Sequence, residues 1–275
     1  MDLKALNKWQ NELNFSEKMP VLFLGHGSPM NAIEENDFVK NWRTLSLDIP
    51  KPAAILVVSA HWETRGTAVT SVQKPATIHD FRGFPQALFD VQYPAPGDPE
   101  LAQYIQTLLK HYSPLELSQV WGLDHGTWSV VKHLYPAADV PVLQFSLDVN
   151  KTPAEHYALA AKLAGLRQKG VLIIGSGNLI HNLRMVAWDK LQSPGYGYDW
   201  AIETNEKLKS SILNGDHHAL INFDKIPHAA MAIPTAEHYL PLLYVLGLQQ
   251  KNDELSFMND DYVGGSLSMT SVVLR

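Results

Sequence analysis

The sequence predicts a single α/β domain in which a central, mostly parallel or mixed sheet carries helices on both faces. Two observations predict it. Short apolar runs alternate with helical patterns through most of the chain, and no repeat, low-complexity tract or long charged linker suggests a second domain. Alternation of this kind is typical of parallel sheets, because each crossover between parallel strands is usually a helix that covers one face.

The elements follow from these patterns in chain order. The candidate strands are Val21–Leu24, Ala53–Ser59, Thr67–Val72, Val140–Leu147 and Gly170–Gly175. The candidate helices are Glu34–Leu45, Pro99–His111, Thr127–Tyr135, Pro153–Gln168, Asp199–Leu213 and Thr235–Val245. Thr152 before Pro153, with Glu155 in the first turn, is a sequence that starts a helix well. The segment Gly264 to Arg275 reads as a closing strand, either an antiparallel edge or an insertion into the main sheet.

Residues 1–18 are expected to form an N-terminal helical extension, and residues 19–275 the catalytic domain. The extension is polar and helix-prone, with a rough apolar stripe. It lacks the basic stretch and apolar core of a signal peptide, and no apolar run approaches the roughly 20 residues of a membrane span. We therefore expect a cytoplasmic protein. The sequence does not determine its oligomeric state.

Composition excludes several classes of site. The chain of 275 residues has 22 Lys and Arg against 28 Asp and Glu, so its net charge is −6, and the charges are interspersed. Mild acidity argues against a nucleic-acid or anionic-membrane surface. There is no cysteine, which excludes disulfides, thiolate metal sites and a cysteine nucleophile. Any metal must therefore be bound by His, Asp or Glu.

Three of the twelve histidines follow the candidate strands. His26 follows the first strand, His61 the second, and His181 the fifth. In open α/β sheets, ligand sites form outside the carboxyl ends of the strands. A single histidine in such a place is more often a hydrogen-bonded loop or core residue than a ligand. Three at one sheet edge instead favour a shared metal or catalytic site.

Two further histidines lie in polar settings. His125 follows Asp124 just before a candidate helix, and His238 follows Glu237. His125 could simply be a helix-start residue hydrogen-bonded to Asp124, and His238 an exposed helical residue. The histidines on helix faces or at polar helix ends are expected at the surface; these are His111, His133, His156, His217 and His218.

Glycine-rich phosphate and nucleophile motifs are not complete in this chain. Gly175-Ser176-Gly177 follows a strand but lacks the third glycine of a dinucleotide fingerprint and the acidic residue that should come about 20 positions later. Gly25-His26-Gly27-Ser28 lacks the lysine of a phosphate loop, and no Gly-X-Ser-X-Gly elbow occurs. Ser28 and Ser176 could be nucleophiles, but they read at least as naturally as structural loop serines.

Several motifs in order, from about residue 19 to the C-terminus, resemble one known family. The strongest are Gly25-His26-Gly27-Ser28-Pro29-Met30-Asn31, Ser59-Ala60-His61-Trp62, Asp124-His125-Gly126-Thr127-Trp128, Gly175-Ser176-Gly177-Asn178 with His181-Asn182, and Pro234-Thr235 with Glu237-His238-Tyr239-Leu240-Pro241-Leu242. They resemble the bacterial and plant DOPA 4,5-dioxygenase branch of the class III extradiol dioxygenases.

The resemblance implies an α/β fold, one divalent metal per chain, and cleavage of a catechol such as DOPA with O2 to a muconate semialdehyde. It implies metal contacts from His26, His61, His181 and His238, with zinc as the metal usually associated with bacterial relatives. His125 corresponds to a histidine that faces the substrate. Many class III enzymes use two histidines and one carboxylate for Fe(II). Here Glu237, beside His238 on an expected helix, should point elsewhere, since helical neighbours are about 100° apart.

The roles that follow are expectations. His125 is the expected base towards a catechol hydroxyl, with His181 as an alternative if it leaves the metal; histidine suits this role because it titrates near neutrality. His79 and Tyr93, in an aromatic loop, are the expected substrate contacts. Zinc cannot pass an electron to oxygen, so oxygenase activity would need Fe2+. A zinc hydrolase or a non-catalytic metal-binding protein on the same fold are the alternatives.

Overall fold

The computed structural model describes Trp9 and residues 18–275. The expected N-terminal helical extension, residues 1–18, therefore lies almost wholly outside the described residues. The described chain forms one α/β domain around a large mixed sheet, which confirms the predicted fold class.

The strands of the described chain are β1 (Val21–Gly25), β2 (Ala54–Thr64), β3 (Thr67–Thr70), β4 (Leu115–Ser118), β5 (Val142–Asp148), β6 (Val171–Gly177), β7 (Leu255–Met258), β8 (Tyr262–Val263), β9 (Leu267–Ser268) and β10 (Ser271–Leu274). Eight of them form the main sheet in the order β4-β3-β5-β2-β6-β1-β10-β7. A two-stranded sheet pairs β8 with β9.

The centre of the main sheet is parallel. Strand β6 pairs in parallel with β1 and β2, and β2 pairs in parallel with β5. The carboxyl ends of β1, β2 and β6 therefore meet at one edge. Strand β10 runs antiparallel between β1 and β7. Of the two placements open for the closing strand, the structure has the insertion into the main sheet.

The helices that surround the sheet begin and end as follows: α1 (Asp37–Leu47), α2 (Gln86–Phe89), α3 (Pro99–Leu109), α4 (His125–Leu134), α5 (Pro153–Ala161), α6 (Asp199–Leu213), α7 (His217–Ile221), α8 (Ala229–Ala232) and α9 (Leu240–Gly247). None of the helices in the described part of the chain is long and apolar enough to cross a membrane.

Helices cover both faces of the sheet, as predicted. Along β1, Val21 and Phe23 belong to a core shared with α3, α5, α6 and α9, while Leu22 and Leu24 belong to a second core shared with α1 and α4. Successive strand residues point to opposite faces, so a strand buried on both sides is apolar at every position. This is why the strands appear in the sequence as continuous apolar runs.

Local hydrogen bonds set where the helices start. Helix α5 begins with a capping box: the Thr152 hydroxyl accepts from the Glu155 N–H, and the Glu155 carboxylate accepts from the Thr152 N–H. This helix ends at Ala161 rather than Gln168, and a 3-10 helix, Ala164–Lys169, completes the segment. The last predicted helix is shorter than expected and starts at Leu240, because residues 235–239 form turns.

Candidate metal centre

The parallel strands deliver three histidines to one edge of the sheet. His26 follows β1 directly, and its N–H donates to the Gly177 carbonyl at the end of β6 at 3.0 Å. His61 lies near the end of β2, where the pairing with β5 is interrupted between Val58 and Glu63. Such irregularities re-aim side chains near functional sites. His181 lies four residues beyond β6.

Two other segments add His125 and His238. His125 is the first residue of α4, whose N-terminus is capped by the Asp124 carboxylate accepting from the Thr127 N–H at 3.1 Å. The His238 carbonyl accepts from the Asn178 N–H at 2.9 Å, which fixes this turn against the end of β6. A Cβ on Gly177 would lie 2.1 Å from that carbonyl oxygen, so only glycine permits this approach.

All five histidine rings lie together. The ring centroid of His61 is 3.9 Å from His125, 5.0 Å from His26 and 4.9 Å from His238. The rings of His181 and His238 stack at 3.5 Å with an interplanar angle of 7°. Two groups have possible ligand atoms within 4.8 Å of one another: His26 with His61 and His125, and His181 with Glu237 and His238.

His26 has a defined tautomer. Its Nδ1 lies 3.0 Å from the Ser176 hydroxyl, which donates its proton to the Gly126 carbonyl at 2.5 Å. The hydroxyl therefore accepts from Nδ1–H, and Nε2 of the neutral ring carries the lone pair. That Nε2 lies 3.1 Å from Nε2 of His61. The Ser176 hydroxyl is thus a structural partner of His26, and Ser28 caps a 3-10 turn by accepting from the Met30 N–H at 3.2 Å.

Asp80 faces two of the histidines. Its Oδ1 accepts from the His125 N–H at 2.9 Å, and its Oδ2 lies 2.9 Å from Nδ1 of His125 and 3.7 Å from Nδ1 of His61. Although burial raises the pKa of Asp80, its hydrogen bonds with His125 and the charge of that residue outweigh burial and hold the pKa below its ordinary value.

The prediction that Glu237 points away from His238 is wrong. The Glu237 carboxylate lies 3.1 Å from Nδ1 of His238 and also accepts from the Thr235 hydroxyl at 2.8 Å. The prediction assumed a helix from Thr235, in which neighbouring side chains diverge. Because the helix begins only at Leu240, the turn lets adjacent side chains meet.

Burial keeps four of the rings neutral. It lowers the pKa of His26 and His238 well below the ordinary value, and the nearby histidines lower both further. Burial and His125 lower the pKa of His61 to about 3. Burial also lowers the pKa of His181 to about 4, against the opposing effect of Glu237. Neutral imidazole is the form that binds metal ions, so the electrostatics suit a metal centre.

The residues also fit a metal by geometry. Two nitrogens bound at about 2.1 Å to one tetrahedral ion lie roughly 3.4 Å apart, close to the 3.1 Å between the Nε2 atoms of His26 and His61. His181 differs from the other four. Within residues 18–275 its ring has no hydrogen-bond partner, and its position depends on stacking against His238 and on its N–H donating to the Ala232 carbonyl at 2.9 Å.

The aromatic loop places Phe81, and not His79 or the Tyr93 hydroxyl, against the histidine cluster. The Phe81 ring lies edge-on to His125 at 5.6 Å. His79 packs against Phe81 and Trp128, and its Nε2 bonds the Val91 carbonyl at 3.0 Å. The Tyr93 hydroxyl donates to the Tyr135 carbonyl at 2.9 Å, at the opposite end of α4 from His125. A ten-residue helix is about 15 Å long, so the structure does not bring this hydroxyl to the histidines.

Sequence reasoning missed several residues of the centre. Asp80, Phe81 and Glu237 contact the histidines through loop geometry that no local pattern encodes. Ser176 lies in β6 and contacts His26 because β1 and β6 are paired. Two histidines expected at the surface are buried. His133 is 5% exposed and bonds the Asn31 carbonyl, and His156 is fully buried beside the Tyr244 hydroxyl.

Comparisons with known proteins identify the family of this chain. A family model described as the catalytic LigB subunit of aromatic ring-opening dioxygenase matches residues 19–270. A 4,5-DOPA dioxygenase extradiol of Escherichia coli is 47% identical over 94% of this chain and 95% of its own length. Another from Beta vulgaris is 37% identical over 90% of this chain and 94% of its own length.

A solved structure has the same fold. The crystal structure of an uncharacterized protein from Escherichia coli K12 superposes with a TM-score of 0.80 and 41% sequence identity, covering 94% of this chain and all of that one. The match of the family model to almost the whole chain confirms the expected resemblance. This chain belongs to the LigB family of aromatic ring-opening dioxygenases and is an extradiol ring-cleaving dioxygenase.

Proposed function

We propose that the physiological reaction is 4,5-cleavage of a DOPA-type catechol by O2, giving a muconate semialdehyde. The observation that carries the proposal is the cluster of five histidines at the strand ends, bordered by the edge of Phe81. The substrate class is taken from relatives named 4,5-DOPA dioxygenase extradiol, which match more than nine-tenths of their own length.

His26, His61, His238 and His181 would hold one divalent metal. His238 is supported by ring centroids 4.9 Å from His61 and 5.3 Å from His26, and His181 by its stacking on His238. The ligand-atom distances fit His26, His61 and His125 as an alternative set. Loss of metal from a His181→Ala variant, with retention by His125→Ala, would support the first set.

Zinc is the ion we expect to be bound as isolated, and Fe2+ the ion for ring cleavage, because only a redox-active metal supplies electron density to oxygen. The outward partners of His26 and His238, the Ser176 hydroxyl and the Glu237 carboxylate, would hold Nε2 of each ring towards the metal.

His125 would accept a proton from a catechol hydroxyl at Nε2, because its Nδ1 is engaged by Asp80. A base within hydrogen-bond reach of the substrate typically contributes 10²–10⁴-fold to a rate. His181, whose ring makes no hydrogen bond within residues 18–275, is the second candidate for proton transfer. Phe81 would contact the catechol ring beside His125.

Substrate roles for His79 and Tyr93 stay predictions, as do the cytoplasmic location and the lack of nucleic-acid and membrane partners.

The test combines metal analysis with oxygen consumption. Protein purified without added metal is analysed for zinc and iron, stripped, and reloaded anaerobically with Fe2+ or Zn2+. With DOPA and air, the iron form should consume oxygen and form a yellow semialdehyde, while the zinc form should not. An iron-loaded protein that binds metal but consumes no oxygen with DOPA or simple catechols would contradict the proposal.

A further inference from the structure

Asp80 lies in a loop that is fastened to the N-terminal half of α4. The Ile78 N–H donates to the Leu123 carbonyl at 2.7 Å, and the Ile78 carbonyl accepts from the Trp128 indole N–H at 2.8 Å. Both bonds are made by Ile78, which directly precedes His79 and Asp80 in the sequence. The Asp80 carboxylate is therefore held against the first turn of α4, where His125 begins the helix.

The Asp80 carboxylate makes two contacts with His125. Oδ1 accepts from the His125 backbone N–H, and Oδ2 lies 2.9 Å from Nδ1 of the same residue. An ionised carboxylate can only accept hydrogen bonds, so the proton between Oδ2 and the ring belongs to Nδ1. The backbone bond also fixes the rotation of the carboxylate, which leaves Oδ2 no other orientation.

The same Oδ2 faces His61. Its distance from Nδ1 of His61 is 3.7 Å, beyond a direct hydrogen bond. The opposite nitrogen, Nε2, lies 3.1 Å from the unprotonated Nε2 of His26, which is within hydrogen-bond distance. A proton on Nε2 of His61 would join the two rings in the metal-free protein. When Nε2 binds a metal, that proton must be on Nδ1, where the negative charge of Oδ2 stabilises it.

We propose that Asp80 is a positioning residue: it keeps His125 protonated at Nδ1, and it stabilises the Nδ1–H form of His61 that a metal on Nε2 of that ring requires. The proposal rests on the proposed metal site and proton-transfer role, since it explains how one residue prepares a ligand and a base together. Partners of this kind orient histidine ligands and fix their tautomers in metal sites.

Asp80→Asn gives a sharp test, because the backbone fixes how the amide must lie. The His125 N–H can only donate, so the amide oxygen must take the place of Oδ1. The amide NH2 then faces Nδ1 of His125 and requires that nitrogen to accept. The His125 ring should change to the other tautomer, with its proton on Nε2. Exchange of a carboxylate for an amide reverses a histidine tautomer in this way elsewhere.

The readout is two-bond proton–nitrogen NMR of histidine-labelled, metal-free protein. The signal of His125 is assigned by its loss in His125→Gln. Wild-type protein should have the His125 ring protonated at Nδ1, and Asp80→Asn should move that proton to Nε2. Asp90→Asn is the matched control, because Asp90 directly follows α2 and its exposed carboxylate accepts, among the described residues, from the Gln86 side chain alone; its spectrum should equal that of the wild type.

A second measurement is the affinity for Zn2+ alone, by competition with a chelator. Loss of an outward partner typically costs 10–100-fold in metal affinity, so Asp80→Asn should bind zinc 10–100-fold more weakly and Asp90→Asn should not change. An unchanged His125 tautomer, or a zinc affinity within twofold of wild type, would overturn the proposal. If Asp80→Asn does not fold, the wild-type spectrum decides: a His125 ring protonated at Nε2 overturns it.

Neither readout uses turnover. An inactive enzyme with the expected tautomers and zinc affinities would contradict the proposed reaction while leaving the role of Asp80 supported. An active enzyme whose Asp80→Asn variant keeps the wild-type tautomers would support the proposed reaction and contradict the role of Asp80.

Discussion

The Nε2 atoms of His26 and His61 lie 3.1 Å apart, although their strands, β1 and β2, are not neighbours in the sheet. Strand β6 lies between them and ends in small residues, Ser176 and Gly177. The two rings can therefore meet over the end of β6. Since neither ring is charged near neutral pH, two nitrogens in this position are prepared for a cation between them.

Replacement of one of these rings should remove the metal. We expect His61→Ala to lower zinc affinity by more than the 10–100-fold that loss of an outward partner costs, because a coordinate bond itself is lost. Chelator competition and metal analysis of the purified protein measure the effect. His111→Ala, at an exposed helix end, is the control and should have the same zinc affinity as the wild type. Full metal occupancy in His61→Ala would contradict the assignment of this ligand.

Gly126 should be intolerant of even one methyl group. A Cβ there would lie 2.7 Å from the Ser59 hydroxyl and 2.8 Å from Cδ2 of His61, so the ring must move. We expect Gly126→Ala to weaken zinc binding about tenfold while the protein still folds, because a small shift of one ligand spoils coordination. Gly165→Ala, where a Cβ meets nothing within 4 Å, is the matched control. Equal zinc affinity in the two variants would show that His61 is not held by this contact.

The position of Phe81 beside His125 leads to a prediction about substrate binding. Phe81→Ala should raise KM for DOPA several-fold with a smaller effect on kcat, because an aromatic contact of this kind contributes about 0.5–1.5 kcal/mol. Tyr93→Phe should leave KM unchanged, since the hydroxyl it removes is engaged with the Tyr135 carbonyl. Steady-state kinetics of the iron-loaded enzyme provide the measurement. A larger increase of KM in Tyr93→Phe than in Phe81→Ala would indicate that the catechol binds at Tyr93 instead.

A buried ion pair far from the histidines should govern acid stability. Arg167 and Asp253, whose side chains have no exposed surface, form two charged hydrogen bonds, and Lys18 also contacts the Asp253 carboxylate. Removal of one partner from such a pair costs about 3–5 kcal/mol, because the other charge stays buried. We therefore expect Asp253→Asn to lose about that much unfolding free energy at pH 7 in urea denaturation.

The pH dependence of this loss has a definite sign. Burial raises the pKa of Asp253, but the bonds with Arg167 and Lys18 outweigh burial and lower it. A lowered pKa stabilises the fold above the unfolded value, near 4, and this stabilisation disappears as the pH falls through the folded value. The difference between wild type and Asp253→Asn should thus be constant from pH 8 to about 5 and shrink in stronger acid. Asp37→Asn, which removes one partner of an exposed pair with Lys40, should have the unfolding free energy of the wild type across this pH range. A difference that grows in acid would contradict this account.

The sequence by itself determined the fold class and the strand-end histidines. Strands buried on both faces must be apolar throughout. This is why β1, β2, β5 and β6 can be recognised in the sequence as continuous apolar runs. Short strands such as β4 and β7 were missed, because four residues at the side of a sheet carry little periodic signal. His26, His61 and His181 could be grouped because parallel strands end at one edge, whereas His125 and His238 joined them only through the family resemblance.

The tertiary structure alone decided the partners that orient these histidines. Asp80 and Glu237 are unremarkable carboxylates in the sequence, and their contacts depend on a loop fastened to α4 and on a helix that starts five residues later than expected. It also separated Phe81, which contacts His125, from Tyr93, whose hydroxyl lies at the far end of that helix. The physical reason is the same in each case. Periodic patterns encode which side of an element is buried, but a hydrogen bond between distant segments depends on loop paths that only the assembled fold defines.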